Sequence, residues 1–215
     1  MKITKVQFVF ILFLLPLMAV GQDKINYLEF PKNSISIAPT NIFFDGNGNT
    51  IFYKRRLEQS ADKLKYLRLG TEFFGSFRNG EEDGSYSYSM NVGIEKLRKK
   101  QNFSLSFGYE LGFVYYSVAG RHAEPGVNAI FAPQAITSGL SGSNIQRGSF
   151  FLSSVIGFIG FKYHVSKHFS IGIESGAGLG YYRSTDKLND DTKETSSGFI
   201  NDIDPSRQFT LEYYF

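Results

Sequence analysis

The chain has 215 residues, 42% of them hydrophobic, with 22 Phe, 13 Tyr, 22 Gly, 6 Pro, no Trp and a formal net charge of +3. A charge so small and so scattered excludes a nucleic-acid surface readable from composition. The absence of cysteine excludes disulfides and any lipid carried on an N-terminal cysteine.

Residues 1–21 open with Lys2 and Lys5, continue through an apolar run from Val6 to Val20, and close on Ala19, Val20 and Gly21. The apolar run is short of the roughly 20 residues of a spanning helix, and small residues stand where a signal peptidase reads. The pattern predicts a cleaved secretory signal over 1–21, a short periplasmic segment over 22–33, and one domain over 34–215. Past the signal no run of about 18 apolar residues remains, which excludes helical spans and leaves a soluble fold or a closed barrel.

From residue 34 onward the hydrophobic pattern has period two and no sustained helical period, which predicts eight strands. In chain order they cover about 34–44, 50–58, 64–78, 85–98, 102–119, 149–165, 168–184 and 207–215. The connections alternate between short turns (59–63, 99–101, 166–167) and longer segments, of which 120–148 and 185–206 are long and polar. Short turns at one rim and loops at the other, with an even strand count, is the arrangement of a transmembrane barrel whose termini are both periplasmic.

Strand faces decide what meets lipid. Strand five sets Phe103, Leu105, Phe107, Tyr109, Leu111, Phe113 and Tyr115 against Ser104, Ser106, Gly108, Glu110 and Gly112. Strand seven sets Phe169, Ile171, Ile173, Ala177, Leu179 and Tyr181 against Ser170, Gly172, Glu174, Gly176, Gly178 and Gly180. A water-facing side would be rich in long charged residues, whereas Gly and Ser with a few charges suit a narrow lumen filled by side chains. The polar face is therefore expected inside, holding Lys54, Arg56, Arg68 and Lys162 against Glu72, Glu95, Glu110, Glu174 and Glu212 as a paired, plugging network. Arg55 shares the apolar face of strand two and is expected to reach the headgroups. Aromatic girdles are expected at Phe103, Tyr163, Phe169, Tyr213 and Phe215 on one rim, and at Phe77, Tyr86, Tyr115, Phe151 and Tyr181 on the other.

The last strand ends on Phe209, Leu211, Tyr213 and Phe215, apolar or aromatic at every second position. This resembles the terminal signature by which outer-membrane barrels are recognised for assembly. With the export signal, residues 34–215 resemble the OmpA/OmpX-like family of small outer-membrane barrels. The resemblance implies an all-β, eight-stranded antiparallel up-and-down transmembrane barrel in the Gram-negative cell outer membrane. Its implied partners are outer-membrane lipid, lipopolysaccharide and the barrel-assembly machinery.

Other motifs carry little chemistry. Residues 45–49 imitate a calcium loop, but Thr50 replaces its glycine and Arg56 its bidentate glutamate, so a hairpin connection is expected. Gly176, Gly178 and Gly180 repeat with period two and precede no helix, so they read as a small-residue stripe and not a phosphate loop. Of the histidines, His164 and His168 flank a turn, and His122 in the long loop has no partner at a telling spacing for lipid-modifying catalysis. The loop 185–206, with six acids including Asp186 and Asp202, reads as a solvated segment. The loop 120–148 carries Val127, Ile130, Phe131, Ile136 and Leu140, which suggests a packed lid.

No cofactor, metal or catalytic residue is assigned. The expected function is non-enzymatic, structural or surface-interacting in the envelope, with a small-solute porin and a lipid A modifying enzyme as the alternatives.

Overall fold

The structure, a computed structural model, describes residues 31–38, 50–60, 63–76, 84–100, 102–119, 123, 130, 145–188 and 192–215. These residues are all-β. The strands are β1 (Asn33–Ala38), β2 (Thr50–Gln59), β3 (Lys63–Ser76), β4 (Ser85–Lys100), β5 (Phe103–Ala119), β6 (Ile145–His164), β7 (Phe169–Leu188) and β8 (Lys193–Tyr214). Each pairs antiparallel with the next, and β8 returns to β1, so the sheet closes on itself. The expected signal over 1–21, the segment 39–49 with its calcium-like loop, Phe77 and His122 lie outside the described residues.

The closing seam is fixed at the last residue. Asn33 N–H donates to the Phe215 carbonyl at 3.1 Å, and Phe215 N–H donates to the Asn33 carbonyl at 2.9 Å. β1 thus begins at Asn33, inside the segment expected to precede the barrel.

A path along the hydrogen-bonding direction from Ile35 passes through Tyr53, Leu69, Val92, Leu111, Val155 and Leu179 and reaches β8 at Asn201. Ile35 itself pairs with Tyr213. The path climbs β8 as it goes round, which is the stagger that strand tilt imposes on a closed barrel. Inward glycines permit the close approach this requires: a Cβ on Gly108 would overlap the backbone oxygen of Ile94.

The largest correction concerns 185–206, expected as a loop. β7 runs on to Leu188 and β8 begins at Lys193, with paired residues up to Lys187 and Lys193. β6 also starts early, at Ile145, and pairs with this extension. The charges that suggested a loop lie along two paired arms whose backbone bonds need no apolar face. Pro205, within β8, cannot donate to a ladder. It falls in an irregularity where the pairing steps from Glu174–Gln208 to Gly176–Asp204. Two extra residues enter β8 there, so the inside–outside alternation is preserved on both sides of the bulge.

Candidate functional site

Side-chain direction is the first property of the site. On the outer face Phe103, Leu105, Tyr109, Leu111 and Val155 are 41–58% exposed, while Glu110 is fully buried and Glu174 only 4% exposed. Aromatic rings on that face meet near both rims. At the short-turn rim Phe103 lies 5.0 Å from Tyr163, and at the other Tyr181 lies 5.3 Å from Phe199. Arg55 is exposed on the outer face.

Inside, alternation converges the inward residues of non-adjacent strands into two ionic clusters. In one, the ammonium of Lys54 lies 2.8 Å from Glu95 and 3.1 Å from Glu212, and that of Lys162 lies 2.5 Å from Glu95 and 2.7 Å from Glu212. Two cations and two anions alternate around a neutral ring, and Ser34 donates to the remaining Glu212 oxygen at 2.6 Å. Shared carboxylates recover in mutual attraction and hydrogen bonds the large desolvation cost that each charge would carry alone.

Arg68 centres the second cluster. Its Nε lies 2.7 Å from Glu110, its Nη1 2.7 Å from Glu174, and its Nη2 donates to Glu174 at 3.2 Å and to Gln208 at 3.0 Å. Its guanidinium carbon lies 3.9 Å from the Phe52 ring centre and 4.8 Å from that of Phe158. A planar guanidinium can satisfy in-plane acceptors while its faces rest on aromatic rings, which an ammonium cannot do. Gly70, cross-strand from Phe52, leaves the space that the ring fills. Of the other inward charges expected, Glu72 is buried and Arg56 half-buried.

The rest of the interior departs from the expectation of a polar lumen. Toward the short-turn end, Leu64, Tyr66, Leu97 and Tyr214 form an apolar floor. Toward the opposite end, Val114, Tyr116, Val118, Phe150, Leu152 and Ile156 form an apolar cluster with Ala123 and Ile130 from the β5–β6 connection. Ile130 N–H donates to Asp202 at 2.7 Å, and the Ser184 hydroxyl donates to the Ala123 carbonyl. The glycine stripe of β7 has a packing role here: a Cβ on Gly178 would come within 2.9 Å of Ile130. Of the lid residues expected from sequence, Ile130 is buried; Val127, Phe131, Ile136 and Leu140 lie outside the described residues.

The apolar cluster was the interior feature missed by reading faces. Its signal was present as adjacent apolar residues, Phe150-Phe151-Leu152 and Val155-Ile156, which are what a strand apolar on both sides looks like.

His164 is buried, with Nε2 2.9 Å from the Ser104 hydroxyl, and His168 is exposed, with Nδ1 2.9 Å from the Tyr214 carbonyl. Among the described residues no group of three or more His, Cys, Asp or Glu is placed to hold a metal ion.

No protein-family model matches the chain, and no curated protein matches it. Among solved structures, a major outer membrane protein from Thermus thermophilus is similar over 85% of this chain and 99% of that one, at 11% identity and a TM-score of 0.45. A likeness of that size carries no argument here, and the fold rests on the strand pairing described above.

Proposed function

We propose that the protein is an integral barrel of the Gram-negative outer membrane, non-enzymatic, with a structural or surface-interacting role in the envelope. The observation that carries this reading is the inversion of the sheet: an exposed aromatic and aliphatic face encloses buried ion clusters. In water that face would leave most of the large apolar side chains solvated, whereas a bilayer supplies the apolar medium, and a sheet that closes on itself pairs strand to strand without an open edge. On this reading the short turns and the seam are periplasmic, and the long connections reach the cell surface beside lipopolysaccharide.

A small-solute porin is the second reading. The ionic ring, the Arg68 cluster and the apolar clusters on either side set paired charges and buried rings across the described interior, which favours a closed barrel over a constitutive pore. Pure protein in a planar bilayer is expected to show no steady conductance, and stable stepwise currents would instead favour the porin. Fractionation of native cells should place the protein with outer membranes, and the folded form should migrate differently from the boiled form. Unchanged migration on boiling, with recovery in the soluble fraction, would defeat the proposal. Identical lipid A mass spectra from cells with and without the gene are expected on the non-enzymatic reading.

Phe209, Leu211, Tyr213 and Phe215 are proposed as the signal read by the barrel-assembly machinery. Deleting Phe215 also removes the backbone pair with Asn33, whereas Phe215→Ala keeps it. If the side chain is the signal, both variants should lower the yield of heat-modifiable protein in cells. Loss confined to the deletion would assign the effect to the seam.

A further inference from the structure

The outer face of β3 and β4 is apolar except near the short-turn end. There Lys65 pairs directly with Lys96, and Lys63 with Arg98, side chains outward. Like charges opposite one another on one face of an antiparallel pair destabilise it, and here two such pairs follow in succession. One compensation is visible: the register shift after Arg56 brings Glu58 opposite Lys65, and the two form an ion pair at 2.7 Å. Lys63, Lys96 and Arg98 form no salt bridge among the described residues.

These residues line a groove of about 380 Å³, bordered by Glu58 and by Phe107, which pairs with Lys96 from β5. Immediately above come the apolar pairs Leu67–Ile94 and Leu69–Val92. Cationic heads thus stand at the foot of an acyl-compatible wall, with aliphatic stems that can lie along it.

We propose that this groove is a binding site for an anionic glycerophospholipid: its phosphate sits among Lys63, Lys65, Lys96 and Arg98, and an acyl chain runs up over Phe107 and Ile94. The inference rests on the membrane reading above. Charge complementarity selects the occupant. A single phosphodiester relieves both repulsive pairs at once, and the apolar wall beginning one pair higher matches the head-to-tail change of a lipid. A soluble anion would use only the lower half.

The test uses the full mature barrel reconstituted in phosphatidylcholine containing a minority of phosphatidylglycerol, with retained lipid read by native mass spectrometry. Phosphatidylglycerol should be retained over phosphatidylcholine by roughly tenfold or more, as expected for several basic groups at an anionic lipid surface. Lys63→Gln/Lys96→Gln/Arg98→Gln should abolish that preference. Arg183→Gln/Lys193→Gln, exposed and far from the short-turn end, should keep it.

A second variant protects against a folding artefact. Lys63→Gln/Arg98→Gln removes one of the two repulsive pairs and leaves Glu58, Lys65 and Lys96 in place, so it should hold or raise the unfolding midpoint in pure phosphatidylcholine while weakening the phosphatidylglycerol preference. Equal retention of the two lipids by the unmodified barrel, a preference unchanged in the triple variant, or stronger retention of lipid A would each overturn the proposal. Failure to insert into either bilayer would overturn the membrane reading with it, which insertion without lipid preference would not.

Discussion

The middle of the barrel and its loop-side half are filled by opposite means. Around Arg68 and the Lys54–Glu95–Lys162–Glu212 ring, the interior is charge matched to charge, every distance at or below 3.1 Å in the ring. Toward the loops, around Leu152 and Ile156, it is an aliphatic and aromatic cluster closed by two residues of the β5–β6 connection. The lesson is that a narrow closed sheet needs its interior occupied and neutralised but does not dictate the chemistry. Ionic filling is intolerant of losing one member. Apolar filling degrades in proportion to the volume removed.

The sharpest test of that contrast is Arg68→Met. It leaves Glu110 and Glu174 buried without their cation, a class of change that costs about 3–5 kcal/mol. Urea titration of the folded protein should show the lowered midpoint. Adding Glu110→Gln and Glu174→Gln to Arg68→Met should recover most of the loss, because the cost lies in the stranded charges. No recovery would mean that Arg68 acts by filling space between Phe52 and Phe158, and would erase the distinction between the two halves.

In the apolar half, Leu152→Ala removes a fully buried side chain. About 3 kcal/mol is expected, within the range for such truncations, and no partner substitution should rescue it. A loss below about 1 kcal/mol would show that the loop-side cluster relaxes around the gap and is softer than its burial suggests.

The same contrast explains what was legible in the sequence. Charges on the inner face were legible from parity: Glu95, Glu110 and Glu174 interrupt runs rich in Gly and Ser, and Lys54, Arg68, Lys162 and Glu212 stand on the face opposite the apolar row of their strands. Which of them meet was not legible, since Arg68 and Glu174 are 106 residues apart and join only through the stagger of the closed sheet. Val114, Phe150, Leu152 and Ile156 stand on that same inner face but are apolar, so alternation there is blurred. The basic outer face at Lys63, Lys65, Lys96 and Arg98 was hidden for a related reason. Lys63 reads as part of a turn, while Lys65, Lys96 and Arg98 fall inside expected strands, and their repulsive pairing becomes visible only with the register. Length was not legible at β7 and β8 because their extension, paired on one side with β6, is largely polar and carries little periodic apolar signal.

The smallest expected effect probes the contact between the two modes of filling. Asp202, on the inner side of β8, accepts the Ile130 N–H at 2.7 Å and so ties an apolar plug residue to a polar anchor. Asp202→Ala should cost about 1–2 kcal/mol, because it leaves the buried Ile130 N–H without its carboxylate acceptor, and should lower the urea midpoint less than the other two changes. Its consequence should be local, at the tie of Ile130 to β8: cleavage between 120 and 144 by added protease should speed up several-fold while the strands stay intact. Gly178→Val should produce the same phenotype by another route, since its side chain would take the space that Ile130 occupies. If neither variant changes the cleavage rate, the connection is held by the apolar cluster alone. The anchor at Asp202 would then contribute nothing to closing the barrel.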